Sequence, residues 1–422
     1  MVTLLLIGVF ILGYLAIAFE QPLHLNKAAS ALITGVLCWT IYILQSNSPH
    51  VVTEELLQHL GEIASIVFFL LGAMTIVELI DSHNGFDIVT RKISTKSKSY
   101  LLLIIAVITF FLSALLDNLT TAIVMTSLCS KILSNKEDRL WFAGMIVIAA
   151  NAGGAWSPLG DVTTTMLWIG GQITALSIMK QLILPSIVVC VVPALLIAYR
   201  FKGQKIAGVP ESICTPKEKR DGKFVLFAGT GLLVFVPLFK TVTHLPPFMG
   251  MFLALGLMWV ITTVIHKGTE PELAQRFTVA RALQKVDTPS ILFFLGILLA
   301  VASLQSYGIL KELASSLNNT LKNDYLIGVT LGLLSAVVDN VPLVAASQGM
   351  YDLSSYPTDH PFWEFLALTT GTGGSAIIIG SAAGVAVMGI EHINFMWYLK
   401  KITWLALVGF VAGILVFLLQ PG

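Results

Sequence analysis

Long apolar stretches run through this chain from end to end, near residues 2–19, 28–45, 61–80, 140–168, 180–200, 224–239, 247–265, 289–306, 362–390 and 399–419, with polar connections between them. A helix needs about 20 apolar residues to cross a hydrocarbon core about 30 Å thick. Inside lipid every backbone polar group must be satisfied within the segment, which leaves helices as the spanning element for such runs. The pattern predicts an all-α polytopic membrane protein with about ten crossings and both termini on one side. The first stretch lacks a basic leader and a small-residue cleavage site, so it reads as a retained helix. Two further apolar blocks, 100–134 and 324–350, are each broken in the middle by polar residues.

Composition agrees with the pattern. Of the 422 residues 56% are hydrophobic and 12% charged, against about 25% charged in soluble domains. A net charge of +1 gives no reason to expect a nucleic-acid partner. Cys38, Cys129, Cys190 and Cys214 are widely spaced, without a C-x-x-C pair, and read as small hydrophobes rather than disulfide or metal ligands. Walker, dinucleotide-binding and G-x-S-x-G motifs are missing, so neither an ATPase nor an enzyme is indicated. The eight histidines fall in loops or near segment ends and read as surface residues, and Trp39, Tyr42, Trp397 and Tyr398 as interfacial anchors.

Charge sets the topology. If each broken block enters and leaves on the same side, all but four of the 25 Lys and Arg residues (Lys180, Lys240, Lys311 and Lys322) share one face. That bias makes the shared face cytoplasmic and puts both termini on the other side of the cell (inner) membrane. Were either block a full crossing, every later loop would change sides and the bias would collapse. The blocks therefore read as re-entrant hairpins, the first opening to the cytoplasm and the second to the outside.

The two halves echo one another. S-A-L-L-D-N-L-T-T (Ser113 to Thr121) matches S-A-V-V-D-N-V-P-L (Ser335 to Leu343), with the aspartates 222 residues apart. Glu62 to Gly72 has a counterpart in Asp287 to Gly296, and Asn151 to Asp161 has one in Gly371 to Ser381. This order predicts an inverted repeat, 1–200 and 224–422, joined by a cytoplasmic linker at 201–223. Such repeats place a transporter's site at their interface near the midplane.

The polar residues in these motifs carry the chemistry. An aspartate at the bilayer centre costs roughly 2.5–3.5 kcal/mol on insertion scales and is usually functional. Asp117-Asn118 and Asp339-Asn340 offer carboxylate and amide oxygens suited to hard cations, with Ser113, Thr120, Thr121 and Ser335 as possible hydroxyl ligands. The plainer alternative is that each Asp-Asn caps the second arm of its hairpin. In N-A-G-G-A-W-S-P-L-G-D-V-T-T-T (Asn151 to Thr165) the Gly-Gly and Ser-Pro pairs predict a break in a crossing helix. Asp161, ahead of Thr163, Thr164 and Thr165, is either the N-cap of the second piece or a third midplane carboxylate. The second half has Ser381 at that place and offers the neutral oxygens of Thr370, Thr372 and Ser375. Glu62 and Asp287, at matching positions at the mouths of their helices, are entrance carboxylates or ordinary caps.

No Lys or Arg lies inside an apolar segment, so the buried acids are expected to lack a counter-charge from the protein. They must be protonated or neutralised by an ion from solution, which makes H⁺ and a metal cation competitors for the same oxygens. A channel would not need two hairpins of opposite orientation, and a structural scaffold would not need buried acids.

Taken together, the D-N motifs and the Asn151–Thr165 segment resemble the NhaD-type sodium/proton antiporters. These lie within an ion-transporter superfamily that includes arsenite permeases and sodium/dicarboxylate symporters. The resemblance spans essentially the whole chain. It implies Ser113, Asp117, Asn118, Asn151, Asp161, Thr163, Thr164, Asp339, Asn340 and Ser375 as site residues, with Na⁺, Li⁺ and H⁺ as transported ions and no cofactor. It also implies two re-entrant hairpins in a mobile transport domain, a separate scaffold, and a homodimer moving elevator-fashion. Sodium-coupled dicarboxylate symport or arsenite permeation is the alternative; the symporter relatives carry Ser-Asn-Thr at the tips, and aspartate there would repel a dicarboxylate. The chain departs from the pattern in having no acid in its second break.

Overall fold

The computed structural model describes residues 2–86, 95–206, 216–267 and 276–420. Among the described residues the structure is helical, with one isolated antiparallel bridge between Ser97 and Lys205. Parts of the expected linker (207–215, with Cys214) and of two basic loops (87–94 and 268–275) lie outside the described residues. Cys38, Cys129 and Cys190 are buried free thiols.

Seven helices, or eight with the bent pair Phe395–Lys401 and Thr403–Leu419, are long and apolar enough to cross a membrane among the described residues. The expected number was about ten. The difference has physical causes: Val2–Ala18 is just short, and two apolar segments are each cut into two helices. The first cut lies between Lys136–Ala155 and Val162–Ile169, the second between Pro361–Gly373 and Ala382–Glu391. In the first, Gly153 and Gly154 stay helical, and the chain leaves the helix at Trp156, ahead of Ser157-Pro158. Pro158 has no N–H to extend the ladder.

These cut segments form the centre of the molecule. Residues 141–158 and 362–376 are buried throughout, and Phe142, Trp363 and Phe365 are among the largest fully enclosed side chains. Apolar side chains such as Leu4, Leu44, Val242 and Leu419 instead face outward, as a lipid-facing perimeter requires.

Each of the two broken blocks folds as two helices joined at its Asp-Asn motif, and the arms of the first pack on each other. Lys98–Leu116 and Asn118–Ile132 meet at Asp117, and Asp324–Leu334 and Asn340–Met350 meet across 335–339. In each case the start of the block is bonded to a residue just past its end. Lys98 at the start of the first hairpin pairs with Asp138, six residues past its end, at 2.6 Å. Asp324 at the start of the second accepts from the hydroxyl of Tyr356, also six residues past its end, at 3.0 Å. By length and composition Lys98–Leu116 qualifies as a crossing.

Each hairpin packs closely on a cut segment. A Cβ at Gly153 would lie 2.1 Å from the carbonyl oxygen of Phe110, and one at Gly373 would lie 2.0 Å from that of Gly332. Only glycine admits so near an approach of two helix backbones. Further ion pairs join helix ends: Arg139–Glu391 at 3.0 Å, Arg200–Glu137 at 3.1 Å and Lys285–Glu78 at 2.6 Å.

Several surface expectations are corrected. His83 is buried, its Nε2 lying 2.9 Å from that of His266. Tyr398 is fully buried and donates to the Ser375 carbonyl at 2.9 Å, and buried Trp39 donates to the Leu299 carbonyl, so neither acts as an exposed anchor. Hydrophobic periodicity places such residues near a segment end without showing which neighbour covers them.

Candidate functional site

Asp161 stands at the hub. It is 2% exposed and caps Val162–Ile169, its Oδ1 accepting from the Thr163 N–H at 2.9 Å and the Thr163 hydroxyl at 3.0 Å. The first hairpin reaches its Oδ2 through the Asn118 amide at 2.8 Å. The second hairpin reaches the same carboxylate through the Asn340 amide, at 3.3 Å to Oδ2. One buried carboxylate therefore joins both hairpin tips to the first break.

Asn151 extends the network to the second half. Its oxygen accepts from Asn118 at 3.0 Å, and its amide donates to the hydroxyls of Ser375 and Ser381, each at 2.9 Å. Ser381 caps Ala382–Glu391 as Asp161 caps its own helix. Ser113 and Ser335 are fully buried and bond carbonyls, of Ala150 and Thr370 respectively, each at 2.6 Å. They fasten hairpin to cut segment at corresponding places in the two halves. Thr164 turns its hydroxyl to the Ser157 carbonyl at 2.8 Å, bracing the first break.

The tip aspartates adjoin this cluster through their chain neighbours Asn118 and Asn340, both bonded to Asp161. Asp117 accepts from the Thr120 N–H at 2.7 Å and the Thr120 hydroxyl at 2.8 Å. Its φ of 109° lies in a region other residues leave to glycine, a conformation costing about 1–3 kcal/mol that concentrates at functional sites. Asp339 accepts from the Val341 N–H at 3.2 Å. Both aspartates thus cap the second arms of their hairpins.

Four helix N-termini converge here, those of Asn118–Ile132, Val162–Ile169, Asn340–Met350 and Ala382–Glu391. Each presents a partial positive charge that favours the carboxylate or hydroxyl capping it. The available donors are carboxylate, amide, hydroxyl and carbonyl oxygens, the hard ligands of alkali and alkaline-earth ions. Among the described residues no group of three or more His, Cys, Asp and Glu side chains is placed to hold a metal ion.

The expectation that no fixed cation faces the buried acids holds only in part. Lys27 lines the same cavity as Asp339, and its charge acts on that carboxylate. Sequence reading assigned Lys27 to a loop; it is the first residue of Lys27–Gln45, a helix laid against Thr288–Ser306. Nor are Glu62 and Asp287 equivalent. Asp287 is exposed and caps its own helix through Ser290, whereas Glu62 lies well inside Pro49–Ser82, 3.4 Å from the His59 ring. Glu62 borders a cavity of about 480 Å³ whose far wall includes Met166 and Ala345, close beyond Thr163 and Asn340 in the chain.

Ser381 and Tyr398 join the network although the motif reading did not select them as site residues. The signal for Ser381 was its alignment with Asp161; Tyr398 left none, because only the fold brings Phe395–Lys401 beneath the second break.

Two hairpins and two interrupted helices meeting at a buried polar centre define a membrane transporter. The sequence profile of the citrate transporter family matches residues 14–371. Sodium/proton antiporter 2 of Arabidopsis thaliana is 46% identical over 97% of this chain and 97% of its own length, and sodium/proton antiporter 1 of that plant is 47% identical over 97% and 71%. The Na(+)/H(+) antiporter NhaD of Vibrio cholerae is 31% identical over 97% of this chain and 90% of its own. The chain belongs to this family, among its NhaD-type antiporter members.

Proposed function

We propose that this protein is a secondary Na⁺/H⁺ antiporter, also accepting Li⁺, in which cation and proton occupy the Asp161 cluster in turn. The observation that carries this reading is a buried carboxylate hydrogen-bonded to both hairpin tips and flanked by two more acids. Buried carboxylates left ionised are unfavourable in a low-dielectric interior, so the cluster takes up whichever cation is available. An inward proton gradient then drives sodium out. The names of the plant and bacterial relatives support the choice of ions.

The profile's description, citrate transporter, favours a second reading, sodium-coupled anion symport. A polycarboxylate substrate needs cationic donors, and three carboxylates at the centre would repel it. Arsenite permeation has no specific support.

The transport cycle we propose uses an inverted repeat of ten crossings with two re-entrant hairpins. Its support is the paired geometry of the halves: Ser113 to Ala150 beside Ser335 to Thr370, and Gly153 against Phe110 beside Gly373 against Gly332. Elevator movement, a homodimer, a cell-membrane location and termini outside the cytoplasm complete the reading.

The test uses everted vesicles or proteoliposomes with a pH-sensitive dye. Na⁺ or Li⁺ collapses an imposed pH difference for the intact protein, and Asp117→Asn or Asp339→Asn abolishes the response. Na⁺-dependent succinate uptake without proton movement would establish symport instead.

A further inference from the structure

The two hairpin tips match in sequence but not in surroundings. Asp117 borders a cavity of only about 40 Å³, whose wall holds Phe69, Ser290 and Phe294 and no basic residue. Asp339 borders one of about 360 Å³, shared with Tyr14, Glu20 and Lys27 among apolar side chains. The Lys27 ammonium is not in ion-pair contact with Asp339; it stands over the Phe293 ring, 4.8 Å from its centroid. Glu20 accepts from the Lys27 backbone N–H at 3.2 Å, which fixes the root of the side chain beside the cavity. The Tyr14 hydroxyl is buried there beside the Asp339 backbone.

A lysine so placed has a choice of partners. Its flexible four-carbon stem carries a point charge able to swing between an aromatic face and a carboxylate. An ionised Asp339 attracts it; an Asp339 already neutralised by a bound cation or proton does not. We propose that Lys27 is a tethered competitor for Asp339, an internal cation that occupies this carboxylate whenever the transported ion is absent and withdraws to Phe293 when the ion arrives. The inference rests on cation exchange at the Asp161 cluster and adds an asymmetry to it. Asp339 has an internal substitute, whereas Asp117 and Asp161 depend on ions from solution. Tyr14, Glu20, Lys27 and Asp339 are the titratable groups of the cavity, and Asp161 stands behind Asp339 at the tip.

Two measurements test it. In the vesicle assay Lys27→Met, which keeps the stem and removes the charge, lowers the KM for Na⁺ by roughly three- to tenfold, as expected when a competing state is removed. Lys27→Arg restores a KM near the wild-type value. An unchanged KM in Lys27→Met, or Lys27→Arg behaving like Lys27→Met, overturns the proposal. The second measurement does not rely on transport. A membrane-permeant carbodiimide activates the Asp339 carboxyl in the wild-type protein, and attack by the Lys27 amine joins the two in an amide bond as the urea leaves. Peptide mapping by mass spectrometry should find the Lys27–Asp339 crosslink in Na⁺-free medium and its suppression by Na⁺. A carbodiimide adduct on Asp339 without the crosslink, or a crosslink indifferent to Na⁺, overturns it. If the wild-type protein instead takes up succinate with Na⁺, the exchanger reading fails, and the crosslink still decides whether Lys27 reaches Asp339.

Discussion

Asn118 donates its side-chain amide to Oδ2 of Asp161 at 2.8 Å, which couples the tip of one hairpin to the break of a neighbouring helix. The same amide reaches Asn151, and Asn151 reaches Ser375 and Ser381 in the other half. Under the proposed exchange, a cation at Asp161 would share or displace these donors, which connect to both tips and both breaks.

Replacing Asn118 with Leu leaves a buried carboxylate and the Asn151 oxygen short of a donor. The loss should be about 1–3 kcal/mol for each unsatisfied group. A fall in melting temperature is expected together with a drop in apparent Na⁺ affinity of roughly tenfold or more. Thermal melts in detergent and the dye assay check both.

Asp161→Asn separates capping from charge. Asparagine is as good an N-cap as aspartate, so the melting temperature should stay near wild type while exchange is lost. If Asp161 serves only as a cap, the asparagine variant exchanges normally and Asp161→Ala alone fails, with a stability loss of about 1 kcal/mol.

How much of this could be read from the sequence varies with the physical cause. The turns at Asp117 and Asp339 were legible because a buried Asp-Asn pair stands out in an apolar run. The breaks were legible because Ser157-Pro158 interrupts a helix, although Gly153 and Gly154 serve close packing instead. Seeing Asp161 as the hub, ahead of the two tips, required the distances. Lys27 was misread because a cation at a helix start looks solvated until its neighbours are known, and here those neighbours are remote in sequence. Tyr398 and His83 were misplaced for the same reason.

Gly153→Ala and Gly373→Ala should both destabilise, by about 1–3 kcal/mol, because each new methyl meets a backbone carbonyl that cannot swing away. Gly389→Ala, with nothing within 4 Å of the added carbon, is the control and should not destabilise. Comparable losses at the first two sites support corresponding roles in the two halves; a loss at only one of them argues against the repeat.

The Arg139–Glu391 pair ties the start of the first cut segment to the end of the second, with the Glu391 side chain 4% exposed. Glu391→Ala leaves Arg139, a quarter exposed, with only the Leu133 and Ser134 carbonyls and should cost about 1–3 kcal/mol. Glu137→Ala, which breaks the exposed pair with Arg200, should cost about 1 kcal/mol or less. Denaturation in detergent measures both.

Competition between Na⁺ and H⁺ for one set of carboxylates is tested most directly by adding Na⁺ to the purified protein in weakly buffered detergent and following a pH dye. The expected result is prompt proton release that saturates with Na⁺, is reproduced by Li⁺, and disappears in Asp161→Asn. Saturable Na⁺ binding with no proton released, across a series of starting pH values, would contradict exchange at this site.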